Sequence, residues 1–225
     1  MGGGKEMKII ETFKGISGEI CYGKQGRITS FIRLARCNLQ CAWCDTKYSW
    51  GNEKAYEFKQ DMIFNKNFKG ADIPHILITG GEPLLQEDAV YALSVELINK
   101  GKEVTIETNG SLYFDAFLPL RNLSLVVDYK LNSSGMQNRM LDTYYFLSLR
   151  ECDFVKMVVA TKEDLEECIK LLKEDWENRK FIPAISPVIG WEKEVPPQDI
   201  IDVLIQHKLF DVVISAQIHK FLNLK

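Results

Sequence analysis

Short apolar, β-branched runs alternate with helical patterns along most of this 225-residue chain, and that alternation narrows the fold more than any other feature. Strands are expected at Arg27–Ala35, His75–Thr79, Glu103–Thr108, Leu123–Asp128, Asp153–Ala160, Lys180–Ile185 and Asp211–Ser215. A helix is expected near Glu87–Asn99, closed by Lys100-Gly101, because a glycine just past the last turn accepts the left-handed conformation that ends helices. In the helical pattern of Thr161–Trp176, Leu165, Cys168, Ile169, Leu172 and Trp176 share one face, so Cys168 reads as a core thiol. Strands separated by helices pair in parallel, which gives an α/β sheet, open or partly closed into a barrel. Ligands gather at the carboxyl ends of strands in such sheets, and the polar loops of this chain follow strands.

Hydrophobic residues at 46% and charged residues at 26% describe an ordinary globular domain, long enough to bury a substantial core. The net charge of −3, with Lys and Arg scattered, lacks the basic footprint of a direct nucleic-acid binder. No apolar run is long enough to span a membrane and no signal peptide is visible, so a cytoplasmic protein without a membrane partner is expected. Six cysteines, three of them clustered, fit a reducing compartment better than a disulfide scaffold. Residues 1–6, MGGGKE, read as a tag or loose start, and 7–225 as a single domain.

The stretch RCNLQCAWCDT sets Cys37, Cys41 and Cys44 in one loop at C-x3-C-x2-C spacing. Structural zinc and ordinary ferredoxin clusters each take four protein ligands. Zinc could be completed by His75, His207 or His219, though none stands at finger spacing, and an electron-transfer cluster by Cys21, Cys152 or Cys168. The third reading leaves one iron of a four-iron cluster open, so that it can coordinate a small molecule through adjacent amino and carboxylate groups. A second motif, ITGGEPLLQ at 78–86, follows a predicted strand, where residues without Cβ let the backbone approach a ligand closely. Further strand ends carry ETNG (Glu107–Gly110) and DYKLNSSG (Asp128–Gly135).

The cysteine spacing, with the aromatic Trp43 before the third cysteine, resembles that of the radical S-adenosylmethionine (SAM) enzymes. The resemblance implies a truncated, parallel-stranded partial (β/α) barrel, and a 4Fe-4S cluster on Cys37, Cys41 and Cys44 whose open iron chelates SAM. It further implies that Trp43, Cys44 and Asp45 lie along the adenine, and that Gly80, Gly81 and Glu82 receive the methionyl amino group. Glu107, Asn109, Asp128, Lys130 and Ser133 would then meet the ribose and carboxylate, although DYKLNSSG departs from the usual S-P-K segment.

Within that superfamily the chain is similar to the 7-carboxy-7-deazaguanine synthases. The likeness rests on an E-x-F-x-x-I-x-G-E opening at Glu11–Glu19, an F-x-R approach at Phe31 and Arg33, C-D-T at Cys44–Thr46, and Q-x-H-K at Gln217–Lys220. It implies conversion of 6-carboxy-5,6,7,8-tetrahydropterin to 7-carboxy-7-deazaguanine with loss of ammonia. Arg33 would take the substrate carboxylate in its bidentate fork. Glu19 would accept from the 2-amino and N3–H edge of the pterin, beside backbone groups of Ile16, Ser17 and Gly18; Ser17 stands where glutamine is usual. Thr46 would offer its hydroxyl to Mg²⁺. Thr79 would bond the substrate, His219 would line the pocket, and the terminal carboxylate of Lys225 would reach in. The same likeness implies a homodimer and a flavodoxin or ferredoxin reductant. The rival is a glycyl-radical activating enzyme, which shares the spacing but usually places Tyr before the third cysteine and Asn or His-Asn after it.

Overall fold

The computed structural model describes residues 6–21, 25–59, 70, 72–188 and 195–224. Its strands are β1 (Glu6–Ile16), β2 (Ile28–Leu34), β3 (Tyr56–Lys59), β4 (His75–Gly80), β5 (Glu103–Thr108), β6 (Leu123–Tyr129), β7 (Phe154–Val159), β8 (Ile182–Pro187) and β9 (Val213–Ile214). The α-helices are α1 (Glu87–Asn99), α2 (Thr143–Phe146), α3 (Lys162–Lys173), α4 (Pro197–Gln206) and α5 (Ile218–Phe221). Among the described residues one sheet runs in the order β3-β1-β2-β4-β5-β6-β7-β8-β9. From β2 to β9 every neighbouring pair is parallel, while β1 pairs antiparallel with both β2 and β3. This is the expected partial (β/α) barrel with an antiparallel flank added to its first parallel strand.

Burial explains which strands the sequence shows plainly. A parallel strand covered on both faces reads as an unbroken apolar run, and His75–Thr79 of β4 is buried at every position. β1 and β3 are not among the expected strands. In β1, buried Met7 and Ile9 alternate with exposed Glu6 and Lys8, but a register shift between Ile9 and Glu11 breaks the pattern. Glu6 already opens this strand, one residue ahead of the expected boundary. Residues 1–5 lie outside the described residues.

The helical layer is reduced. Helices α1, α2, α3 and α4 lie in the connections that follow β4, β6, β7 and β8, but the link from β5 to β6 contains only a 3₁₀ turn, Asp115–Phe117. Arg150 stands in for the missing helix by donating to the carbonyls of Leu118, Leu120 and Leu123 at 2.7–2.9 Å. Its guanidinium is held in turn by Asp153, a fully buried carboxylate. Helix α3 opens with a capping box between Thr161 and Asp164, and the expected face of Leu165, Cys168, Ile169, Leu172 and Trp176 is buried. The helix itself ends at Lys173, and Trp176 continues the face from the turn beyond it, its ring edge-on to Tyr129 and Phe181. No helix among the described residues is long and apolar enough to cross a membrane.

Candidate active site

A cavity of about 710 Å³ opens at the carboxyl ends of the parallel strands. Its first wall is the cysteine loop, which leaves β2 and is fastened by main-chain bonds to its surroundings. Gly81 N and Glu82 N donate to Leu34 O (3.0 Å) and Arg36 O (2.6 Å), while Arg36 N donates to Ser49 O (2.8 Å). A Cβ on Gly80 would stand 2.3 Å from Leu34 N, and one on Gly81 2.0 Å from Arg36 O. Gly80 also has φ +145°, a conformation that L side chains rarely adopt. The glycines therefore do permit a close backbone approach, and the backbone approached is that of the chain's own cysteine loop.

Glu82 differs from the expectation. Its fully buried carboxylate accepts from Leu84 N (2.9 Å), the Thr108 hydroxyl (2.7 Å) and Asn109 N (2.7 Å), and it is absent from the cavity lining. Burial pushes it up to about 7 despite these donors. The side chain thus joins the loops after β4 and β5.

Cys37, Cys41 and Cys44 all line the cavity, and burial raises the thiol pKa values of Cys37 and Cys41. Asn109 Nδ2 lies 3.7 Å from Cys37 Sγ, and Thr46 Oγ1 lies 3.6 Å from Cys44 Sγ. Trp43 donates from its indole to Ser133 Oγ (3.3 Å), with the Lys130 ammonium 5.1 Å from the ring centroid. Ser133 itself does not line the cavity. Asp45 pairs with Lys220 at 3.0 Å; burial would raise its carboxyl, but the Lys220 hydrogen bond and charge outweigh that and lower it.

The alternative fourth ligands are mostly elsewhere. Cys21 packs against Val126 and Phe154, Cys168 is in the α3 core, and Cys152 lines a separate groove. His75 is buried between the hydroxyls of Thr29 and Thr105, and His207 faces a groove with residues of α3 and α4. His219 alone of these lines the cavity. Among the described residues no three His, Cys, Asp or Glu side chains close around a single metal ion. Three thiols bordering one cavity, without another cysteine beside them, fit a cluster that keeps one position open.

Arg33 of β2 also lines the cavity, its guanidinium 5.7 Å from the Phe13 ring centroid and 5.9 Å from that of Tyr48. Glu11 accepts from Arg33 Nε at 3.2 Å and from the Tyr48 hydroxyl at 2.9 Å. Glu19 accepts from Lys156 on one oxygen and from Gln217 (2.5 Å) on the other. Burial would raise the Glu19 carboxyl, but the Lys156 charge and these two hydrogen bonds bring it below its ordinary value. Asp128 lies 3.2 Å from Lys156 through Oδ1 and is also paired with Lys130 through Oδ2. Thr79 donates to Glu107 at 2.8 Å, and burial pushes Glu107 up to about 7 against the opposing charge of Lys156.

Ile16 and Gly18 line the cavity beside Glu19, whereas Ser17 sits behind them and exchanges hydrogen bonds with the Arg27 main chain. The His219 ring packs directly on Gly18, where an added Cβ would meet Nδ1 at 1.8 Å. Lys225 lies outside the described residues. Glu11 and Gln217 enter the sequence reading only as the first letters of their motifs, without a role, and Tyr48 and Lys156 do not enter it. A signal existed for Lys156, the lone charged side chain in the apolar run FVKMVV of β7.

Thiols at the mouth of a parallel partial barrel define a radical SAM protein, and the family model for the Radical SAM superfamily matches residues 31–185. Membership implies a 4Fe-4S cluster and SAM as cofactors. A protein of Clostridium acetobutylicum named 7-carboxy-7-deazaguanine synthase is 38% identical, over 96% of this chain and 95% of its own length. One of the same name from Methanospirillum hungatei is 37% identical over 97% of this chain and 86% of its own length. The chain belongs to the 7-carboxy-7-deazaguanine synthase family, and the glycyl-radical activating alternative is not favoured. The crystal structure of QueE from Escherichia coli, 23% identical, shares the fold with a TM-score of 0.71 over 94% of this chain and 93% of that one.

Proposed function

We propose that the chain, as a single domain spanning 7–225, converts 6-carboxy-5,6,7,8-tetrahydropterin to 7-carboxy-7-deazaguanine with loss of ammonia. One observation carries the reading: a single cavity is lined by three thiols together with an arginine, a glutamate and a histidine suited to a carboxylated heterocycle. Bound there, the cluster and SAM supply the radical chemistry, and the protein orients and encloses the substrate. Arg33, stiffened between two aromatic rings and engaged by Glu11 at Nε, suits a carboxylate. Glu19, kept ionised, suits an N–H edge, with Ile16 and Gly18 beside it. Thr79 and His219 border the same space, and Thr46 offers its hydroxyl to Mg²⁺. Trp43, Asp45, Gly80, Gly81, Asn109 and Asp128 remain suited to SAM through their place beside the thiols. A flavodoxin- or ferredoxin-type donor, a homodimer and a cytoplasmic setting complete the reading.

Anaerobic reconstitution with iron and sulfide, followed by dithionite, SAM, Mg²⁺ and the carboxytetrahydropterin, tests it. The deazaguanine product is expected. A fully loaded cluster that cleaves SAM without yielding that product overturns the reading.

A further inference from the structure

Lys156 lies on β7, in register with Asp128 of β6 and Ala184 of β8. Its side chain is only 8% exposed, yet it carries a charge amid carboxylates from three separate elements. Glu19 from the segment after β1 accepts its hydrogen bond, Asp128 stands 3.2 Å away, and Glu107 of β5 acts through its charge. Burial alone would lower the ammonium pKa, and the three carboxylates together raise it well above the ordinary lysine value. Lys130, the other buried cation nearby, engages Asp128 and lies by Trp43 on the thiol wall. At Glu19 the hydrogen-bond donors are Lys156 and Gln217, one to each oxygen.

Resting on the substrate reading above, we infer that Lys156 is a positioning residue that holds Glu19 as a fixed, ionised acceptor for the N–H edge of the bound heterocycle. Without the ammonium, desolvation governs Glu19 and favours its protonated form. A protonated carboxyl turns an O–H toward an N–H, and the mismatch of two donors rejects the substrate. Lys156 therefore sets affinity more than rate, and it acts through Glu19.

The test measures KM and kcat for turnover of the carboxytetrahydropterin in the reconstituted wild type, Lys156→Met, Glu19→Gln and the double variant. Lys156→Met is expected to raise KM about ten- to hundredfold, the loss of one charge-assisted hydrogen bond, with kcat changed less than about threefold. The double variant should match Glu19→Gln within about threefold, because on this inference Lys156 reaches the heterocycle through Glu19 and not through Asp128 or Glu107. An unchanged KM in Lys156→Met overturns the inference, as does a double variant whose KM rises about tenfold beyond Glu19→Gln. Should Lys156→Met fail to fold, Lys156→Gln, which keeps a donor but not the charge, takes its place in both comparisons, with the same outcomes deciding. A wild type that makes no deazaguanine product removes the substrate reading itself, a result distinct from any of these.

Discussion

Gly81→Ala tests how the cysteine loop is held. The added methyl would stand 2.0 Å from Arg36 O and 2.8 Å from Ser49 O, both main-chain atoms, where ordinary contact begins at 3.4 Å. The chain must therefore separate by roughly 1.4 Å (3.4 − 2.0), since a backbone atom has no rotamer to escape into. Such a retreat breaks the bonds from Gly81 N to Leu34 O and from Glu82 N to Arg36 O. Two main-chain bonds at about 1 kcal/mol each, with about 1–3 kcal/mol of overpacking, bring the loss to roughly 3–5 kcal/mol.

A loss of that size lowers the melting temperature on the order of 10 °C in a chain of this length. It also shifts Cys37, the residue after Arg36, away from Cys41 and Cys44, so iron and sulfide per chain should fall below about half of wild type after anaerobic reconstitution. Gly101→Ala is the control. It closes α1 at φ +76° with nothing within 4 Å, and should cost about 1 kcal/mol without touching cluster content. Full iron content and wild-type melting in Gly81→Ala would refute the packing argument.

Glu11→Gln removes the charge that engages Arg33 Nε, and should raise the KM for the pterin several-fold while cluster absorbance stays unchanged; an unaltered KM counts against Arg33 as the carboxylate site. Thr46→Ala should weaken the dependence of turnover on Mg²⁺ with the cluster intact, whereas loss of the cluster would make Thr46 a structural residue. His75 is 1% exposed, and burial, helped by the charge of Arg27, lowers it from 6.5 to about 4, so between those values the unfolded chain binds a proton that the folded chain refuses. Stability should accordingly drop as pH falls, by about 2 kcal/mol at pH 5 and about 3 kcal/mol in full, and urea midpoints that shift equally with pH in wild type and His75→Gln would refute it.

The two walls of the cavity were unequally legible. The cysteine wall follows from spacing within one loop, and the parallel strands follow from apolar runs buried on both faces, so both are local signals. β1 is not legible in the sequence because its bulge interrupts the alternation just where Glu11 and Thr12 become half-buried. Helix α4 is legible in principle, since Ile200 and Leu204 are buried at helical spacing behind a proline at its start. The Gly80-Gly81 pair was readable as a close approach, but its partner, Leu34 to Arg36, is set by the register of β2 against β4.

The cluster around Glu19 is a product of distant pairings. Lys156 meets Glu19 across 137 positions and Gln217 meets it across 198, and neither separation has a spacing rule that could reveal it. What brings a cation and a second donor to Glu19 is the parallel register that sets Lys156 beside Asp128, together with the return of the chain after β9 that carries Gln217 to it and seats His219 on Gly18. Thiol geometry can be carried by a short loop because each ligand needs only reach its metal. A buried carboxylate stays charged only where the fold delivers a cation and a second donor to it, so the setting of Glu19 is a property of the whole sheet.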